Sequence, residues 1–323
     1  MYHLFYKGGF PFVLNKLKGR NSITVLSLHR ISNKRNFFWD PLAPEVFDGL
    51  CNYLKKHYIV SSFNEIPTLK NPQKPIVVLS FDDGYYDFVE NGLDILRKHQ
   101  LPSNHNIVFD CANENKVIWT QRMNHIFTFL KDQNLENLVL QIDGTSYQLK
   151  AFGGNWKKMH LDFFYRMMTL TGHQREGILT DLENRLHTQS EERMMDWNDL
   201  KECASNNVEI GNHTYSHAVM STISDENELY QETIVAGREI GKKLGTEVNI
   251  FCYPNGKVNE RSYQLFSNHG YKFILEMNEK LNSINQFYNT KPIIINRINI
   301  PNESLDRIIL RTELFQNRLK KFL

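Results

Sequence analysis

The run Pro75-Ile76-Val77-Val78-Leu79 stops at Ser80-Phe81-Asp82-Asp83-Gly84, so apolar, β-branched residues give way at once to two adjacent carboxylates. A short continuous apolar run bounded this way reads as a buried strand opening into a loop. Loops at strand ends carry the chemistry of α/β folds. Similar runs recur along the chain, and strands are expected at 23–29, 58–63, 76–81, 105–109, 208–211, 248–253, 271–275 and 293–300. Between them the apolar spacing predicts helices over 46–57, 85–99, 197–205, 226–244, 261–269 and 303–320. The rhythm breaks from about 111 to 195, where helices at 123–130, 156–170 and 173–187 surround a hairpin, 138–142 and 146–149, turned at Asp143-Gly144. With 323 residues, 41% of them hydrophobic, the chain can bury a large core as one α/β barrel domain carrying this insertion.

A second polar cluster follows the Val208 strand: Glu209-Ile210-Gly211-Asn212-His213-Thr214-Tyr215-Ser216-His217, with two imidazoles four residues apart. On a helical turn that spacing points both rings to one side, within reach of one ion. Strands of a parallel sheet deliver their ends to one rim, so the carboxylates and the histidines are expected to meet there. One carboxylate and two histidines make three protein ligands for a divalent cation, with a position left for water. That is the composition of a hydrolytic metal site.

Ser80-Phe81-Asp82-Asp83-Gly84, His213-Thr214-Tyr215-Ser216-His217 and Phe251-Cys252-Tyr253-Pro254-Asn255-Gly256 resemble, in order and spacing, the first three motifs of the polysaccharide deacetylase family, whose prototype acts on chitooligosaccharides. The resemblance runs from about Thr24 to Ile300 and implies a distorted (β/α) barrel of about seven strands. It implies Asp82 as catalytic base, Asp83 with His213 and His217 as metal ligands, and one divalent ion, Zn²⁺, as cofactor. Two positions depart from the family pattern. Cys252 stands where the family has an Arg that orients the catalytic Asp, and Asn255 stands where it has an aromatic residue. Arg297, in the last strand, is the candidate for the missing guanidinium. The turn at Tyr253-Pro254-Asn255-Gly256 offers the N–H of Asn255 to an oxyanion, with Tyr253 beside it.

The family's late general-acid histidine is also missing, since His269 ends a helix in Ser267-Asn268-His269-Gly270. Instead the strand Ile23-Thr24-Val25-Leu26-Ser27-Leu28 ends in His29. This resembles the permuted, exopolysaccharide-type subgroup, in which the late strand has moved to the N-terminus. His29 is then the general acid; failing that, His125, His160 or His173 of the insertion would have to serve.

A net charge of +2, with no track of cations and interleaved aromatics, gives no sign of a nucleic-acid partner. Cys51, Cys111, Cys203 and Cys252 are far apart and read as free buried thiols of a reducing compartment. Lys7, Gly8, Gly9 and Pro11 interrupt the N-terminal apolar residues, so neither a signal peptide nor a spanning helix is expected, and the location read is cytoplasmic. Phe5, Tyr6, Phe10 and Phe12 beside Lys7, Lys16, Lys18 and Arg20 fit either an arm packed on the barrel or peripheral contact with the inner membrane face. The function expected is N-deacetylation of an amino sugar in a lipid-linked or nucleotide-linked polysaccharide precursor. Removal of another N-acyl group such as formyl, or carbohydrate binding without turnover, are the alternatives.

Overall fold

The computed structural model describes residues 8–142, 144–289 and 291–313. Its barrel is built from β1 (Ser22–Leu28), β2 (Ile76–Phe81), β3 (Ser103–Ile107), β4 (Val208–Asn212), β5 (Ile250–Cys252), β6 (Phe273–Glu276), β7 (Ile293–Asn296) and β8 (Ile298–Asn299). From β1 to β7 each strand pairs in parallel with the next. The last two are halves of one strand bent at Arg297. β7 pairs with β6, and after the bend β8 pairs with β1, which brings the sheet round into a nearly closed barrel. With the bent strand counted once, the barrel has the number of strands expected from the sequence.

Side-chain alternation sorts each strand into an inner and an outer set. Ile23, Val25, Ile76, Val78, Ile250, Phe273, Leu275 and Ile295 fill one end of the interior, where Phe63, Ile66, Ile284 and Phe287 close it. Leu26, Leu28, Val77, Leu79, Phe81, Val208 and Ile210 belong to the outer layer, packed with the helices Pro44–His57, Leu93–His99, Trp197–Ser205, Ala236–Leu244 and Leu305–Thr312. Burying each such side chain is worth about 1.5–3 kcal/mol, so both surfaces of the sheet hold it in place. Strands buried on two faces need no polar face, which is why they read as unbroken apolar runs.

Several boundaries differ from the sequence reading. The strand expected at 58–63 shrinks to Ile59–Val60, because Phe63 turns in to plug the barrel and stacks on Phe273. β3 lies earlier than the expected 105–109, since Phe109 already begins the helix Phe109–Glu114. The helices after β2 and after the histidine loop each contain a π turn, Phe88–Gly92 and Gln231–Val235. Positions 314–320 of the last expected helix, and Asp143 of the expected hairpin turn, lie outside the described residues.

The insertion holds the helices Trp119–Asp132, Trp156–Met167 and Gly172–Leu186 and the antiparallel pair Leu140–Ile142 with Thr145–Tyr147. It has its own apolar core, with Met123, Phe127, Phe163 and Leu179 at its centre. At the N-terminus, the helix Phe10–Lys18 packs on the barrel: Leu14 is buried, and Lys18 Nζ donates to Tyr58 Oη at 2.7 Å and pairs with Glu313 at 3.1 Å. Phe12, Val13 and Leu17 of the same helix face outward, whereas Phe5, Tyr6 and Lys7 lie outside the described residues. Among the described residues no helix is long and apolar enough to cross a membrane. All four cysteines are free and buried.

Candidate active site

Asp82 continues the inward alternation of Ile76, Val78 and Ser80, so its carboxylate enters the barrel interior and is only 2% exposed. Oδ1 accepts from Arg297 Nη1 at 2.9 Å, Asn106 Nδ2 at 2.8 Å and Cys252 Sγ at 3.4 Å. Oδ2 accepts from the same guanidinium nitrogen at 2.8 Å and faces His29 Nε2 at 3.9 Å, beyond a direct hydrogen bond. Burial pushes this carboxyl up, but the charge of Arg297, then His213 and His29, outweighs burial and holds it at about 2.

Asp83 faces elsewhere. Its backbone is left-handed, φ 77°, and Gly84 follows at 87°, so the chain reverses and carries the second carboxylate away from the first. Its Oδ1 stands 3.4 Å from His213 Nε2 and 3.2 Å from His217 Nε2.

The histidines are not on a helical turn, as their spacing had suggested. Residues 213–219 form a loop in which Thr214 (φ 71°) and His217 (φ 60°) are left-handed, and this loop brings the two rings together. Glu232 pins it by accepting from the N–H groups of Tyr215 and Ser216 at 2.9 and 3.0 Å and from Ser216 Oγ at 2.6 Å. Asn212 adds a bond from Thr214 N and donates to Thr233 O. Glu232 and Thr233 sit in the second π turn, a distortion that recurs beside functional sites.

The residues fit a divalent cation. His213 Nδ1 lies 2.9 Å from the carbonyl oxygen of Cys252, which only accepts, so Nδ1 donates there and Nε2, facing Asp83, is the nitrogen that would hold a cation. Tetrahedral ligation at roughly 2.0–2.1 Å sets neighbouring ligand atoms ~3.3 Å apart, and the two Asp83–histidine distances match. A second trio, Asp82, His213 and Cys252, also clusters within 4.8 Å. It suits a cation poorly, because both Asp82 oxygens accept from Arg297 and burial keeps the Cys252 thiol protonated.

The rim therefore gathers Asp82, Asp83, His213, His217, His29 and Arg297. β1 lies beside β2 with Leu28 opposite Phe81, which sets His29 beside Asp82; its ring stands edge-on to Trp39 at 5.3 Å. Tyr253 is not brought in. It follows inward-facing Cys252, so alternation turns its ring outward against Phe251 and Phe266, and its hydroxyl bonds Ser262 Oγ at 2.6 Å. Tyr253 is therefore a core side chain and not one that reaches substrate. Asn255 is exposed and left-handed, φ 53°, in the turn Pro254–Gly256. His125 bonds Thr188, and His160 bonds Asn124 and stacks on Phe38 inside the insertion. His269 contacts Arg238 and Tyr230 on the outer layer.

Asn106, missed by the sequence reading, holds Asp82 and donates to Ser80 Oγ; Ser80 in turn donates to Asn104. The signal was Asn104 and Asn106 at period two in a buried strand, obscured by starting that strand too late. Gly211 belongs to the same layer, since a Cβ there would lie 2.2 Å from Asn106 Oδ1.

A parallel barrel with a buried carboxylate–guanidinium pair beside an Asp-His-His cluster defines an α/β-barrel protein with a hydrolase-type site. Residues 69–274, more than half of the chain, match the profile of the polysaccharide deacetylase family, and the chain belongs to that family of carbohydrate-esterase hydrolases. No curated protein matches it. Among solved structures it is similar to the Streptococcus pyogenes deacetylase PplD in complex with acetate, at 17% identity over 91% of this chain and 99% of that one, TM-score 0.59. It is also similar to IcaB from Ammonifex degensii, at 14% identity over 92% and 98% of the two chains, TM-score 0.55. A de-N-acetylase from Aggregatibacter actinomycetemcomitans matches at 15% identity over 88% and 96%, TM-score 0.53. At these identities the likeness is one of fold.

Proposed function

We propose that this protein is a metal-dependent N-deacetylase that hydrolyses the acetamide of an amino sugar in a lipid-linked or nucleotide-linked precursor of a surface polysaccharide. The observation that carries this is the division of labour between adjacent carboxylates: Asp82 bonded to Arg297, and Asp83 turned to the two histidines. When bound by Asp83, His213 and His217, a divalent cation, Zn²⁺ in this reading, polarises the amide carbonyl and lowers the pKa of water.

The chain's own groups do the rest. Arg297 and Asn106 keep Asp82 ionised and oriented, and Asp82 Oδ2, the oxygen on the His29 side, takes the proton of the attacking water. The N–H of Asn255 donates to the developing oxyanion. As the C–N bond breaks, His29, the general acid of a permuted exopolysaccharide-type arrangement, gives its proton to the leaving nitrogen. Acetate and a free amine result. Phe12, Val13 and Leu17 form an outward apolar face next to Lys16 and Arg20, which suits peripheral contact at the cytoplasmic membrane face and a lipid-linked substrate.

Acetate release, measured with metal-reconstituted protein on lipid-linked, nucleotide-linked and free N-acetylhexosamines and on N-formyl counterparts, tests this reading. Formate from the last alone would make the enzyme a deformylase. Retention of sugar with no acyl release would make it a binding protein.

A further inference from the structure

Along the insertion runs a cleft of about 1490 Å³, bordered by Trp119, Arg175 and Glu228; it reaches the histidine loop at Ser216, and none of Asp82, Asp83, His29, His213, His217 and Arg297 lines it. Its other charges are mostly neutralised. Arg122 pairs with Glu176 and Glu183 at 2.6 Å each, Lys116 with Asp110 and Glu114, and Glu192 with Arg30. Glu191 and Glu228 are exposed to water.

Arg175 is the exception. It is 3% exposed, and among the described residues no carboxylate lies within ion-pairing distance of it. Its one described hydrogen bond goes from Nη1 to the carbonyl of Leu170, and its guanidinium lies over the Trp119 ring at 5.4 Å. Glu232 and Glu228 act on it only through space; a buried cation with no carboxylate in contact is costly, and Arg is the side chain best suited to fork onto phosphate or carboxylate oxygens. Burial lowers its pKa to about 10, still well above neutrality, so the charge persists.

Arg175 is also linked to the metal-ligand loop. Trp119 donates its indole N–H to the His217 carbonyl at 3.1 Å, and its ring centroid is 6.3 Å from that of His217. The cation therefore stands one aromatic side chain away from the ligand cluster. In an N-acetylhexosamine joined through its anomeric carbon to phosphate, the acetamide and the phosphate sit on neighbouring ring carbons.

We propose that Arg175 is a specificity residue that takes the anionic phosphate attached to the sugar being deacetylated, with Trp119 holding the guanidinium in place. This inference rests on the deacetylase reading and narrows its substrate to phosphate-linked sugars. The shared chemistry is a sugar diphosphate, whether its far end is a nucleoside or a polyprenyl chain.

The test compares wild type, Arg175→Gln and Arg175→Lys by acetate release from UDP-N-acetylglucosamine, from a short-chain polyprenyl-diphosphate N-acetylglucosamine and from neutral N-acetylchitotriose. Calorimetric binding of UDP-glucosamine to the metal-loaded proteins supplies a readout that needs no turnover. Loss of one charge-assisted contact predicts that Arg175→Gln raises KM for whichever diphosphate sugar is used by about 10- to 100-fold, weakens UDP-glucosamine or the polyprenyl counterpart alike, and leaves chitotriose unchanged. Arg175→Lys should recover part of the loss. Preference between the two diphosphates identifies the far end. Equal losses on all three substrates would make Arg175 a structural bond to Leu170 and overturn the proposal. So would wild-type turnover of chitotriose matching that of the diphosphates with no effect of the variants, an outcome that leaves the deacetylase reading standing. Weakened diphosphate binding in Arg175→Gln, with no acetate from any substrate, would uphold the subsite and refute the enzyme.

Discussion

Replacing Arg297 by Met keeps the side-chain length and removes the charge, which isolates what the guanidinium does for Asp82. The two groups are 1% and 2% exposed and meet through contacts of 2.8 and 2.9 Å. After substitution the carboxylate keeps only Asn106 at 2.8 Å and the weak thiol donor of Cys252 at 3.4 Å. Removing one partner of a buried pair typically costs about 3–5 kcal/mol, because the other charge stays desolvated. For a chain of this size that is a fall in Tm on the order of 4–7 °C. Asp82→Asn should be destabilising for the reciprocal reason, by leaving Arg297 uncompensated. The Asp82→Asn, Arg297→Met double variant should recover at least about 2 kcal/mol relative to the sum of the single losses, a coupling measurable by urea denaturation of the metal-free proteins. Acetate release by Arg297→Met should drop about 100-fold, as expected for a misplaced catalytic group. Single losses that add to within about 0.5 kcal/mol would refute the view that Arg297 supplies the charge missing at Cys252.

Asp82→Asn should keep near-normal metal content while losing roughly 10²–10⁴-fold in kcat; metal loss equal to that of Asp83→Asn would show the two roles to be wrongly divided. His213→Ala and His217→Ala should each lose metal and activity together, and stoichiometric metal in the double variant, measured by elemental analysis, would exclude the triad as the site. His29→Ala should bind metal normally and turn over roughly 10²–10⁴-fold more slowly, whereas unchanged kcat would send the search for the proton donor elsewhere. In the insertion, burial lowers the His160 pKa from 6.5 to about 4. The folded state therefore prefers the neutral ring: this stability is complete above about pH 6.5 and is lost as pH falls toward 4, about 3 kcal/mol in all. His160→Gln should flatten that part of the acid dependence of the urea midpoint, and an unchanged slope would show the ring to be solvated.

The strands and their terminal motifs were legible because a two-sided buried strand must be apolar throughout, so the place where Leu79 gives way to Asp82 and Asp83 marks a rim without any knowledge of neighbours. The family resemblance attached roles to those carboxylates and to His213 and His217. The same local logic misjudged the histidines: a spacing of four fits a helix, but left-handed backbone at Thr214 and His217 brings the rings together in a loop that Glu232, from a later helix, holds in shape. It also misjudged Tyr253, since which way a strand's alternation points is fixed only when a neighbour is in place, and here Cys252 took the inner position. Nothing local in the sequence ties Arg297 to Asp82, 215 residues away. The bend between β7 and β8, which carries one strand from β6 to β1, is what swings its guanidinium into the barrel. Periodicity reports which residues avoid water, whereas the partner of a buried charge is set by strand pairing and register across the whole chain, and that information exists only once the barrel has closed.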